Sequence, residues 1–245
     1  MKKTALITGA SSEVGMAISN ILARNNINII IHYNSNYNSA LELEKNIKEK
    51  YDVETLIIKA DLTKEEDINK LIEKSLNKFK KIDILINNAA LDKPNLFEEK
   101  NSTDFKEILN VNLIAPFLLS QKIGQIMTQN KYGKIINITS TNGIDTYYPM
   151  CLDYDASKAG LISLTHNLAL EFKPYVNVNA IAPGWIKIKK DTENLDEDYI
   201  KSEEEKIFKE RFGNVDEIAY LVEFLISEKA EFINNQVIRI DGGMY

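Results

Sequence analysis

The 245-residue chain is 44% hydrophobic and 27% charged, an ordinary soluble balance sized for one large α/β domain. Its formal net charge of −6 excludes a general affinity for nucleic acid or anionic membrane, and its lysines are interleaved with acids rather than massed. A single cysteine, Cys151, excludes an internal disulfide and suits a reducing, cytoplasmic compartment, and with only His32 and His166 beside it no metal site is expected.

The opening "MKKTALITG" is too short for a signal h-region and breaks at Thr8-Gly9, so it reads as a strand. Val14 to about Arg24 reads as a helix, "INIIIHY" as a buried strand, and "NSALELEKNIKEKY" as an amphipathic helix with Leu41, Leu43 and Ile47 inward. "ETLIIKAD" is a third strand and 64–80 a helix. "DILIN" and "KIINITS" are strands, separated by one long helical stretch over about 103–130. "SKAGLISLTHNLALEF" is helical, and "VNVNAIAP" is a strand ended by Pro183. Strands alternating with helices imply βαβ units with right-handed crossovers and a parallel sheet covered on both faces, hence one domain over 1–245. The charged stretch 190–206 reads as a solvated surface helix or as part of a mobile lid at about 187–212.

In doubly wound folds the first strand-to-helix turn aims amides at a phosphate. In "ITGASSEVG", Gly9 allows the tight turn, Gly15 lets the helix approach the sheet, and Ser11 or Ser12 caps the helix. The strict G-x-G-x-x-G spacing is absent, so the turn by itself is equally a capped loop. Glu13 suits a helix N-terminus but would repel a pyrophosphate, by about 1 kcal/mol if screened. Its side chain is therefore expected to point to solvent.

"YDASK" places Tyr154 and Lys158 four residues apart on one helix face. A phenol with a pKa near 10 is a poor acid–base group, and a nearby ammonium lowers that pKa. The pair thus has the makings of a general acid–base for an alcohol oxygen, although the same spacing is common on solvated helices. Ser140 ends a strand on the side where open sheets bind ligands, and there it reads as a hydrogen-bond donor to a polarised oxygen or as a loop residue.

Taken in order, "TGASSEVG", "AD" (60–61), "NNAA" (87–90), "NVN" ending at Asn112, "ITS" ending at Ser140, "YDASK", "NAIAPG" ending at Gly184 and "IDGG" (240–243) resemble the short-chain dehydrogenase/reductases along nearly the whole chain. The resemblance implies a Rossmann-like, three-layer αβα domain of about seven parallel strands with a nicotinamide cofactor. It makes Tyr154 the acid–base, Lys158 the ribose ligand that lowers the Tyr154 pKa, Ser140 the group that polarises the carbonyl, and Asn112 the support of a proton-relay water. It puts Gly9, Ser11, Ser12 and Val14 at the pyrophosphate and Tyr33, Asn34 and Ser35 at the adenosine ribose. Asp61 and Leu62 fall at the adenine, Asn88, Ala89 and Ala90 along the adenosine side, and Pro183, Gly184 and Ile186 at the nicotinamide. Four positions depart from the family pattern: Glu13 for the middle glycine, Ala90 for the glycine of "NNAG", Ile188 for a threonine, and Asn234-Asn235 for a Thr-Gly turn.

No acid follows the second strand before Glu42, so nothing repels a 2′-phosphate, and Asn34 and Ser35 are able to bind one; NADP is preferred over NAD. The style of the chain is most similar to 3-oxoacyl-acyl-carrier-protein reductases and is shared with sugar, steroid and diketone reductases. An acidic carrier protein needs a basic docking patch, for which Lys122, Lys131 and Lys134 are the candidates. A non-catalytic nucleotide-binding scaffold and an isomerase or epimerase stand as alternatives on the same fold. The resemblance also implies a homo-oligomer, a dimer or tetramer.

Overall fold

A computed structural model describes residues 2–189 and 195–244. Seven parallel strands form one sheet in the order β3-β2-β1-β4-β5-β6-β7. They are β1 (Thr4–Ile7), β2 (Asn28–Tyr33), β3 (Thr55–Lys59), β4 (Ile84–Asn87), β5 (Gly133–Ile138), β6 (Val176–Pro183) and β7 (Val237–Ile240). The order reverses between β1 and β4, where an open parallel sheet leaves a crevice at its carboxyl edge.

The apolar runs read as strands because both faces are covered. Along the pleat, Leu6, Ile30, Leu85 and Ile135 point to one side, and Ala5, Ile7, Ile29, Ile31, Ile84, Ile86 and Ile136 to the other. The register locks these rows together, with Leu6 beside Ile30 and Leu85, and Leu85 beside Ile135. The first face receives α3 (Glu65–Phe79), α5 (Ala115–Gln129) and α6 (Leu152–Glu171). The second receives α1 (Glu13–Arg24), α2 (Tyr37–Lys50) and α8 (Val215–Ile226). Among the described residues, α4 (Ser102–Leu109), packed on α6, precedes α5, and α7 (Glu197–Glu204) precedes α8.

The structure departs from the expected elements in two places. The stretch expected to form one helix over 103–130 is two helices, α4 and α5, separated by a five-residue π-turn, Asn110–Ile114. In α2 the buried residues are Ala40, Leu43 and Ile47, while Leu41 is 45% exposed. Positions 40, 43 and 47 share one stripe, and residue 41 is turned about 100° away from it. Helix α6 begins at Leu152, so "YDASK" is helical as expected and Tyr154 lies in the first turn.

Of the lid expected at about 187–212, residues 190–194 lie outside the described residues; α7 occupies part of the remainder. Among the described residues, no helix is long and apolar enough to cross a membrane.

Candidate active site

The turn after β1 is tight at both ends. Gly9 has φ +62°, and a Cβ there would sit 3.0 Å from Ala89 Cα. At Gly15 a Cβ would meet Gly9 O at 2.3 Å, so only glycine lets α1 seat against the turn. Ser12 caps α1: its Oγ accepts from Gly15 N at 3.1 Å and donates to Gly9 O at 2.9 Å. The amides of Glu13 and Val14 begin the helix and have no intrahelical acceptor. Free amides at a helix start are the kind of donors that suit a phosphate. Ser11 lies half-buried beside the turn.

Glu13 does not simply face solvent. Its Oε1 accepts from Lys189 N at 2.9 Å, joining the turn to the segment after β6. The carboxylate gains a donor there that solvent alone would otherwise supply.

Asn88 ties β4 to the turn. Its Nδ2 donates to Thr8 O at 2.8 Å and Gly9 O at 3.2 Å, while Asn88 N and Ala89 N both donate to Thr8 Oγ1. Ala90 is exposed at the carboxyl edge. At the end of β2, Tyr33 is half-buried and packs 5.6 Å from the exposed Tyr37 ring, and Asn34 and Ser35 are exposed. Asp61 Oδ1 accepts from Thr63 N and Thr63 Oγ1, and this bonding holds its carboxyl below the usual range. Leu62 is buried next to it. Across the crevice Pro183 ends β6, Gly184 follows with its Cα hydrogens against Asp241, and Ile186 is buried and bridges to Gly213. Asn235 takes φ +62°, so the Asn234-Asn235 pair does form the left-handed turn.

Ser140, just beyond β5, is 9% exposed; its hydroxyl donates to Asn142 Oδ1 and accepts from Asn142 N, each at 3.2 Å, and it faces the Tyr154 side chain. The Lys158 ammonium lies 5.3 Å from the Tyr154 ring centre and donates to Ile138 O at 2.9 Å. Burial lowers the Lys158 pKa to about 8, opposed by Asp92. The Tyr154 phenol is pushed up, first by burial and then by the charge of Asp92; the bond to Ser140 works the other way, and Asp155 adds to the rise. The rise is opposite to the lowering expected from Lys158, because desolvation disfavours the phenolate. Asn112 is fully buried in the π-turn, where it donates to Leu91 O and Ser157 Oγ and accepts from Leu91 N.

Three groups escaped sequence reasoning. His32 lies beneath the phosphate turn, with Gly9 N donating to its Nδ1 at 3.0 Å. Glu203, 3% exposed on α7, accepts from Tyr148 Oη at 3.1 Å and from Trp185 Nε1 at 3.0 Å. Lys100 reaches Asp153, one residue before Tyr154, at 2.7 Å. Each joins segments far apart in sequence, and only the lone histidine in an apolar strand was a visible signal. Among the docking lysines, Lys134 is 2% exposed and bonded to Asn177 and Glu231, so it is withdrawn from the surface. Lys122 is half-exposed and bonded to Asn69 and Glu65. No group of three or more metal-ligating side chains occurs among the described residues.

A parallel sheet with a phosphate turn at its switch point, and a serine, tyrosine and lysine on adjoining elements, define an NAD(P)-dependent oxidoreductase acting on CH–OH and C=O groups. The sequence pattern of the family described as enoyl-(acyl carrier protein) reductase matches residues 9–245. The chain is 37% identical over 244 residues to 3-oxoacyl-[acyl-carrier-protein] reductase FabG of Aquifex aeolicus, covering 99% of this chain and 97% of that one. It is 35% identical to the protein of that name from Staphylococcus epidermidis, over the full length of both. Among solved structures, acetoin dehydrogenase YohF from Salmonella typhimurium superposes with a TM-score of 0.89 at 32% identity, covering 100% of this chain and 96% of that one. A mutant of a Serratia marcescens short-chain dehydrogenase/reductase gives 0.92 at 27% identity, covering 98% and 97%. The chain belongs to the short-chain dehydrogenase/reductase family.

Proposed function

We propose that the protein is an NADPH-dependent reductase of a 3-oxoacyl group carried on acyl-carrier protein, working as one domain over 1–245. The observation that carries this reading is the serine–tyrosine–lysine group on a phosphate-binding sheet edge, in a chain similar over its full length to 3-oxoacyl-carrier-protein reductases.

The cofactor, when bound, supplies a hydride to the substrate carbonyl carbon. Gly9, Ser11, Ser12 and Val14 hold its phosphates; Tyr33, Asn34 and Ser35 take the ribose end; Asp61, Leu62, Asn88, Ala89 and Ala90 take the adenosine; and Pro183, Gly184 and Ile186 border the reactive ring. Tyr154, protonated because its pKa is raised, gives its proton to the carbonyl oxygen. Ser140 donates a hydrogen bond to the same oxygen as charge grows on it. Lys158 holds a ribose hydroxyl, and Asn112 supports the route by which Tyr154 regains a proton. The bonds of Glu203 on α7 to Tyr148 and Trp185 brace a roof on the substrate side of the crevice. NADP is favoured over NAD because the exposed Asn34 and Ser35 follow β2 where no acid stands. The protein works in the cytoplasm as a homodimer or homotetramer, in keeping with exposed Phe117, Phe224 and Phe232.

The test is consumption of NADPH and of NADH with a 3-oxoacyl thioester and a panel of other carbonyls. A kcat/KM for NADPH at least about tenfold above that for NADH supports the cofactor assignment, and an NADH preference overturns it. Tyr154→Phe should lower kcat at least about 100-fold with the cofactor Kd unchanged. Retained turnover removes Tyr154 as proton donor. A chain that binds neither cofactor is the scaffold instead.

A further inference from the structure

His32 is the fifth residue of β2 and is 1% exposed. Its Nδ1 accepts from Gly9 N at 3.0 Å, and its Nε2 lies 3.1 Å from Ala60 O. An amide only donates and a carbonyl only accepts, so the ring carries its proton on Nε2. Its own carbonyl accepts from Ala10 N at 2.9 Å. One residue thus grips two successive residues of the turn and reaches across to the residue before Asp61. Burial lowers the ring's pKa to about 4, which keeps the Nδ1 lone pair free for Gly9 at neutral pH.

The turn has reason to need this grip. Gly9 sits at φ +62° with the Ala89 backbone against it, and its amide faces inward, away from the helix start. An inward amide in a tight turn requires a buried acceptor. The strand offers one only because a histidine interrupts an otherwise apolar run.

We propose that His32 is a positioning residue for the cofactor turn. By accepting the Gly9 amide it fixes the backbone so that the helix-start amides of Glu13 and Val14 face the cofactor's phosphates. Through Ala60 it joins that turn to the adenosine-side wall. The inference rests on the reading of this turn as the phosphate site.

Two isosteres separate the ring's two bonds. In His32→Asn the Oδ1 falls near the place of Nδ1 and still accepts from Gly9, while the bond to Ala60 is lost. In His32→Gln the longer amide reaches Ala60, while the acceptor for Gly9 is lost. Isothermal titration with NADPH should give a Kd for His32→Asn within about threefold of the parent, and a Kd for His32→Gln at least about tenfold weaker. Asparagine leaves the larger gap at this buried position, so a packing role weakens His32→Asn more than His32→Gln. Equal weakening, no weakening, or the reverse order overturns the proposal. Gly9→Ala, measured in parallel, checks the underlying site. If it weakens NADPH while the two His32 variants bind alike, only the role of His32 fails. If Gly9→Ala binds as the parent does, the phosphate site itself is misplaced and the inference falls with it.

Discussion

Glu13 carries the wrong charge for a phosphate turn, and the structure shows how that charge is handled. Its carboxylate accepts the Lys189 amide instead of lying unpartnered over the helix start. A glutamine keeps that acceptor and removes the charge, so Glu13→Gln should change the NADPH Kd less than about threefold by calorimetric titration. A tightening beyond about tenfold would mean that the carboxylate faces the phosphates. His32 supplies a second prediction. Its folded pKa of about 4 lies below the ordinary 6.5, so between these values the unfolded chain binds the proton that the folded chain refuses. Stability is full above about pH 6.5 and falls by roughly 3 kcal/mol as the pH drops toward 4. Urea unfolding across that range should show this slope in the parent, and a correspondingly shallower one in His32→Asn. Tyr154, Ser140 and Lys158 stood out in the sequence through the ordered motifs that resemble the family, since helix spacing and a strand end are not specific by themselves. The roles of His32 and Glu13 did not, because their partners are set by strand register and by a turn closing on a segment 176 residues away.

At the scale of elements, the strands and most helices follow from apolar period alone. The break in the helix expected over 103–130 does not, since "NVNLI" contains no glycine or proline to announce it. The π-turn widens one helical turn, and this delivers Asn112 to both the amide and the carbonyl of Leu91. The first turn of helix α6 is held from another element. Lys100, 9% exposed at its side chain, donates to both oxygens of the fully buried Asp153 and to Lys93 O. Removing one partner of such a pair leaves a buried charge uncompensated. Lys100→Met should cost about 3–5 kcal/mol in urea unfolding, and the double variant Lys100→Met/Asp153→Leu should recover most of it. An additive double variant would show that the pair contributes little.

Across the whole molecule, a parallel sheet covered on both faces was legible because strands alternate with helices, while the order of its strands emerges only from the fold. What remained hidden was the carboxyl-edge wall, built from loops that meet only after folding. The double-faced burial of the central strands also predicts a strong response to truncation there. Leu85→Ala, with Leu85 fully buried beside Leu6 and Ile135, should lose about 2–5 kcal/mol in chemical denaturation. A loss below about 1 kcal/mol would mean that the core closes over the gap. One member of the carboxyl-edge wall has an optical consequence. Trp185 is the chain's sole tryptophan; it stacks on Phe212 at 5.3 Å and lies between Gly184 and Ile186. All indole emission therefore arises from a single point on the rim of the crevice. The absorption of a reduced nicotinamide overlaps that emission, so energy transfer from Trp185 gives the protein an internal beacon for cofactor arrival, with no label attached.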